Sequence, residues 1–371
     1  MSYAFDQPID RRQSSSTKWS KYPEDVLPMW VADMDFAVPN FVMDALKNRL
    51  EHPILGYTDK PADLTASFCA WLAHHFRWQV EADWVVWLPA VMPGMNAACQ
   101  MLDPGELLMP TPVYYPFLEL ADNANLTEVR VPMSFADNVW GMDMDALQQA
   151  TTAASRAIAI SNPQNPTGRV FTPVELEALA DYVLRNNLLL ISDEIHANLV
   201  LDAQARHVPL ARHCPEVAAQ TITLFAATKA YNIPGVSCAA AVIPDPHLRE
   251  QFLTARRGLV SGIGPLGFAA SLAAFKDRSD YLPQLRAYLA DNYALIQQSL
   301  GARVAHLEGT YLAWIDVQDL HVADVEAHFV EHGVGLNPGE IYGLPGYVRL
   351  NFGCSQATLN EGLRRIAAAL R

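Results

Sequence analysis

AIAISNPQNPTGRVFTPVELEALADYVLRNNLLLISDEIH, residues 157–196, decides how the chain is read. Ala157 to Ile160 is a short apolar run of strand length, and Leu188 to Ile191 is a second. Between them, Thr172 to Asn187 carries Leu176, Leu179, Ala180, Val183 and Leu184 at i, i+3, i+4, i+7 and i+8, the spacing of one helix face. Thr172 suits the cap, Pro173 the first helical position, and Glu175 completes a T-x-x-E capping box. Strand, helix and strand in that order form the unit that joins two parallel strands.

Outward from this stretch the pattern repeats. Trp84 to Leu88, Glu106 to Met109, Thr221 to Phe225 and Cys238 to Ile243 are further apolar runs of strand length. Strands that are apolar on both faces belong to a mostly parallel sheet covered by helices, which predicts an α/β fold. The last hundred residues change character. Helical stretches around Tyr281 to Leu300 and Val322 to His332 mix with runs at Tyr311 to Ile315 and Tyr347 to Phe352, and Ser355 suits the cap of a final helix. A smaller α+β domain is expected there. The predicted division is a large domain over 51–275, with 1–50 and 276–371 forming an N-terminal arm and the small domain.

Composition narrows the function classes. Among 371 residues, 51% are hydrophobic and 18% charged, a globular balance. With 26 basic against 40 acidic residues, the formal charge of −14 argues against a nucleic-acid binder. Trp30, Trp71, Trp78, Trp84 and Trp87 therefore read as core and interface rather than as a base-stacking platform. The five cysteines are scattered singly with no CxxC pair, and His74-His75 has no partner at metal-ligand spacing. No metal site is expected. Met1 to Lys21 is polar and lacks an apolar core, and no stretch approaches the ~20 apolar residues of a membrane span, so a cytoplasmic chain without membrane contact is predicted.

In open α/β sheets ligands bind beyond the carboxyl ends of the strands. Ala157 to Ile160 is followed by Ser161-Asn162-Pro163-Gln164-Asn165-Pro166-Thr167-Gly168, Leu188 to Ile191 by Ser192-Asp193-Glu194-Ile195-His196, and Thr221 to Phe225 leads to Thr228-Lys229. An amide, a carboxylate and an amine thus reach one sheet edge. After Trp84 to Leu88, Pro89 to Gly94 opens a helix-like stretch whose free N–H groups suit an anion. A carboxylate keeps a pyridine nitrogen protonated, an amide bonds a phenolate, a helix N-terminus holds phosphate and a lysine condenses with an aldehyde. Together these describe pyridoxal 5'-phosphate, although the residues alone also allow another phosphorylated aldehyde or a nucleotide.

The blocks Asn162 to Gly168, Ser192 to His196 and Thr228-Lys229-Ala230-Tyr231-Asn232 resemble those of fold-type I pyridoxal-phosphate enzymes of the class I/II aminotransferase superfamily. Their separations agree, with 28 positions from Asn165 to Asp193 and 36 from Asp193 to Lys229. Leu27 to Phe36, Gly56-Tyr57, the Asp-Glu-Ile-His form of the carboxylate block, Gly309 to Trp314 and Val348-Arg349-Leu350-Asn351 are similar to the bacterial cystathionine β-lyase subgroup. The resemblance implies a pyridoxal-phosphate-dependent transferase-like large domain, and Lys229 as the catalytic residue and covalent anchor of the cofactor. It implies that Asp193 pairs with the ring nitrogen, Asn165 bonds the ring 3-oxygen and Tyr114 stacks on the ring. Val91 and Met92 N–H groups and the Thr228 hydroxyl would hold the phosphate. Tyr57 would reach that phosphate from a second subunit, which implies a homodimer. Arg349 would clamp the α-carboxylate of an amino-acid substrate.

Two positions depart from the aminotransferases. Ser237 stands eight residues after Lys229, where many of them carry a phosphate-binding arginine, and His196 stands where they usually carry a tyrosine. The lyase subgroup shares the first departure. Both move the expected reaction from transamination toward elimination of a thiol from an S-substituted cysteine such as cystathionine, giving pyruvate and ammonia. An aminotransferase on the same scaffold is the alternative. Because the subgroup includes a lyase that doubles as a repressor of maltose regulation, a lyase with an added protein-binding role is another. Plainer readings stand beside these: Asp193 as a helix cap, Arg349 as a strand-edge arginine and His196 as a satisfied supporting group.

Overall fold

Seven strands of the computed structural model, which describes residues 3–371, form one sheet: β1 (Val85–Leu88), β2 (Glu106–Thr111), β3 (Thr127–Pro132), β4 (Ser155–Ser161), β5 (Leu189–Asp193), β6 (Thr221–Ala226) and β7 (Ala239–Val242). Met1 and Ser2, the start of the polar arm, lie outside the described residues. The spatial order is β1-β7-β6-β5-β4-β2-β3, and β7 runs antiparallel to both of its neighbours while the other pairs are parallel. Successive side chains leave a strand on opposite faces, so Ala157 and Ala159 enter one apolar layer and Ile158 and Ile160 another.

Helices cover both layers. The longer helices of the chain include α1 (Asn40–Glu51), α2 (Leu64–Phe76), α3 (Val91–Gln100), α4 (Pro173–Arg185) and α5 (Pro265–Phe275), with α6 (Tyr281–Leu300), α7 (Val325–Glu331) and α8 (Gln356–Ala369) toward the C-terminus. Val91, Met95 and Ala98 of α3 bury against Ala157, Ala159 and Ile191, while Leu176, Leu179 and Val183 of α4 bury against Ile158, Ile160 and Leu190. Each of the buried valine, leucine, isoleucine and methionine side chains contributes roughly 1.5 to 3 kcal/mol. The capping box forms: Thr172 Oγ1 accepts from Glu175 N at 3.3 Å, and Thr172 N donates to Glu175 Oε2 at 2.7 Å. α4 stops at Arg185, two residues before the sequence pattern ends, and Asn187 turns the chain with φ of 49°. β3 escapes the apolar pattern because it is an edge strand: Thr127, Arg130 and Pro132 face solvent and Val131 is its buried residue.

A second, antiparallel sheet holds β8 (Leu312–Asp316), β9 (Asn337–Pro338) and β10 (Tyr347–Asn351) in the order β8-β10-β9. α7 begins at Val325 rather than Val322 because Asp324 caps it, accepting from Ala327 N at 2.9 Å. Ser355 caps α8 as its sequence predicts, accepting from Thr358 N at 3.2 Å. The N-terminal arm folds back on residues 33–35. Arg11 bonds Asp33 and Asp35, and the buried Lys18 bonds Asp35 at 2.7 Å. Among the described residues, no helix is long and apolar enough to cross a membrane.

Candidate active site

The carboxyl ends of β1, β2, β4, β5 and β6 open on one cavity of about 180 Å³, lined by Val91, Met92, Tyr114, Asn165, Asp193, His196, Thr228 and Lys229. Parallel pairing causes this convergence, because every strand that points the same way delivers its following loop to the same edge. Arg349 comes from the other sheet, mid-strand in β10, and reaches the cavity wall by donating from Nη1 to Asn165 Oδ1 at 2.9 Å. Tyr57 is not brought in; it is fully exposed, in a loop whose Ile54 and Leu55 are exposed as well.

Asp193 ends β5 and is buried, with Oδ1 accepting from Ile195 N at 2.9 Å. Among the described residues, no cation bonds its carboxylate. Burial pushes its pKa up to about 7, against the opposing pull of that backbone hydrogen bond and the Lys229 charge. Lys229 Nζ donates to Ala32 O at 2.8 Å, and Tyr311 OH donates to the same carbonyl at 2.9 Å. Burial brings the amine down to about 8, helped by the Arg349 charge and resisted by Asp33 and Asp193. His196 lies edge-on to Tyr311, with ring centroids 5.9 Å apart. Burial, then the charges of Lys229 and Arg349, hold its pKa well below the ordinary range, so the ring is neutral; its buried Nδ1 has no partner among the described residues.

Arg349 is buried, stacks its guanidinium 4.9 Å from the Tyr342 ring centroid and donates from Nη2 to Trp30 O at 2.8 Å. Its acceptors are an amide and a carbonyl, so its charge meets no carboxylate among the described residues. α3 starts at Val91 after Ala90, which offers no side-chain cap, and both residues line the cavity. The first N–H groups of α3 are thus free for an anion. Thr228 and Ser237 add hydroxyl-bearing residues to the same wall.

Three residues inside the similar blocks supply parts of the site to which the sequence assigned no role. Ala32 contributes a carbonyl, Tyr311 the phenol that shares it, and Asn351 holds the turn through Nδ2 bonds to Val31 O and Asp33 O. The signal was present in the blocks 27–36, 309–314 and 348–351, but their meeting point was not. Residues 24–366 match the description "Aminotransferase class I and II".

The chain belongs to the aminotransferase class I and II family.

Within it, the chain is 32% identical to cystathionine beta-lyase PatB of Bacillus subtilis, covering 99% of both chains. It is 30% identical to Protein MalY of Escherichia coli, over 100% of this chain and 99% of that one. The PLP-bound C-S lyase from Staphylococcus hominis superposes with a TM-score of 0.93 at 27% identity, covering 100% of this chain and 98% of the other.

Proposed function

We propose that the protein is a pyridoxal-phosphate-dependent carbon–sulfur β-lyase, which with water cleaves S-substituted cysteines such as cystathionine to a thiol, pyruvate and ammonia. The observation that carries this reading is a buried carboxylate without a cation, Asp193, on the same cavity as a buried amine, Lys229, and an uncapped helix start, Val91. A protonated ring nitrogen, an aldehyde and a phosphate complement those three groups in turn, so the donor set fits the cofactor. Both named relatives and the Staphylococcus hominis structure, two of the three called lyases, support it.

Asp193 would hold the proton on the ring nitrogen, and Lys229 Nζ would anchor the aldehyde carbon. Asn165 Nδ2 would bond the ring oxygen while its Oδ1 stays with Arg349. Tyr114 would stack on the ring, and Val91 N, Met92 N and the Thr228 hydroxyl would hold the phosphate. When bound, the cofactor supplies an electron sink that stabilises negative charge at the substrate α-carbon. Arg349 clamps the α-carboxylate with the two-pronged donor that a lysine lacks. The released Lys229 amine takes the α-proton; with a pKa of about 8, roughly a tenth of it is neutral at pH 7. His196, held neutral, adds no charge between Lys229 and Arg349.

The protein works as a homodimer in the cytoplasm. Leu50, Ile54, Leu55 and Tyr57 are exposed together, an apolar segment that a second copy would cover while bringing Tyr57 to its phosphate. The five cysteines stand free, as a reducing compartment keeps them. The test is to incubate purified protein with cystathionine in the absence of any keto acid. Pyruvate and free thiol in equal amounts are expected. Product formation only after a keto acid is added would replace the lyase by an aminotransferase.

A further inference from the structure

A second cavity, of about 410 Å³, lies between the C-terminal end of α2, residues 197–207 after β5, and α6. It shares no lining residue with the Lys229 cavity. Arg286 of α6 lines it, partly buried, with no hydrogen bond or ion pair to any described residue. Desolvation lowers the pKa of its guanidinium, the signature of a charge removed from water without a counter-charge. Asn198, 6% exposed, lines the same cavity, and its amide also has no partner among the described residues. Arg206 adds, at the exposed rim, a second guanidinium unpaired among the described residues.

The acidic group on this wall is already engaged. Asp202 Oδ1 accepts from Gln204 N at 2.8 Å, and its Oδ2 lies 3.6 Å from His306 Nε2. His75, on the opposite wall, is kept uncharged by burial and by the neighbouring His74, Arg278 and Arg286, and its Nε2 is unpartnered. Two guanidiniums and an amide without acceptors, converging on one cavity of a chain with net charge −14, ask for an oxyanion rather than a cation. The volume lies in the range that holds a small metabolite.

We propose that this cavity is a second binding site, separate from the active site, for a small molecule bearing a phosphate or carboxylate group, held by Arg286 and Asn198 with Arg206 closing the rim. The ligand joins α6 to the segment that follows His196. That segment is tied inward through His207, whose Nε2 lies 2.8 Å from Oε2 of the buried Glu194, next to Asp193.

The test is calorimetric titration of the cofactor-loaded protein with inorganic phosphate and, separately, with succinate, which distinguishes the two oxyanion sources. One of the probes is expected to bind saturably. Arg286→Gln should weaken that binding about tenfold or more, as loss of a charge-assisted hydrogen bond does. Arg206→Gln, at the exposed rim and harmless to folding, should weaken it by a smaller factor, and the cofactor's visible absorbance should stay unchanged in both variants. Succinate binding that disappears in Arg349→Lys would assign the heat to the substrate site and overturn the proposal. So would phosphate binding indifferent to both Arg286→Gln and Arg206→Gln, and so would no saturable heat from either probe.

Discussion

Removing the negative charge of Asp193 should stabilise the protein when the cofactor has been stripped and destabilise it when the cofactor is present. The carboxyl ordinarily ionises near 3.8 and does so here at about 7. That is roughly three powers of ten in proton affinity, or about 4 kcal/mol. Because the folded-state value is raised, the folded protein holds the proton more tightly than the unfolded chain between these two values. Stability therefore falls as pH rises from about 4 to about 7 and is level above. Asn in place of Asp keeps an oxygen for Ile195 N and cannot ionise, so it escapes this penalty. In stripped protein at pH 8, Asp193→Asn should unfold up to about 4 kcal/mol later than the parent, roughly 5 °C in melting temperature for a chain of this length. At pH 5 the gap should be less than half as large. Adding the cofactor supplies a cation to Asp193 alone and should reverse the order. Thermal melts of the four protein forms at both pH values measure all of this. A stripped parent as stable as the variant at pH 8, or a gap that ignores pH, would refute the assignment of an uncompensated buried charge.

Lys229→Ala should abolish both the visible absorbance of bound cofactor and pyruvate release; retention of either removes this lysine from its role. Arg349→Lys leaves Asn165 Oδ1 or Trp30 O without its donor and should lower kcat/KM for amino acids by about tenfold to hundredfold, or 1.5 to 3 kcal/mol, while the absorbance persists. Equal preference for an amino acid over its methyl ester in parent and variant would contradict the carboxylate clamp. Gly168 has φ of 75°, and a Cβ there would sit 2.5 Å from Leu307 Cγ. Gly168→Ala should therefore cost about 2 to 4 kcal/mol in urea unfolding, and an unchanged midpoint would show that the loop yields.

Periodicity was enough for six of the seven strands of the large sheet. Ala157 to Ile160 and Leu188 to Ile191 had to be strands buried on both faces, and the Thr172 capping box had to start a helix, because these signals are local in the chain. The order of Asn165, Asp193 and Lys229 followed, since each stands at or just beyond a strand end and parallel strands deliver such residues to one edge. Tertiary structure alone decided the rest. Arg349 sits in the middle of β10 on the face opposite Val348 and Leu350, which alternation reads as the polar face, and only the docking of the second sheet buries it and sets it on Asn165. Ala32 takes part through its carbonyl, which no side-chain motif can announce. Edge strand β3 has one buried residue and no apolar run to read. The acid strength of Asp193 and Lys229 is likewise a property of the assembled cavity: composition supplies the groups, but the exclusion of water that moves their protons arises only when distant segments close around them.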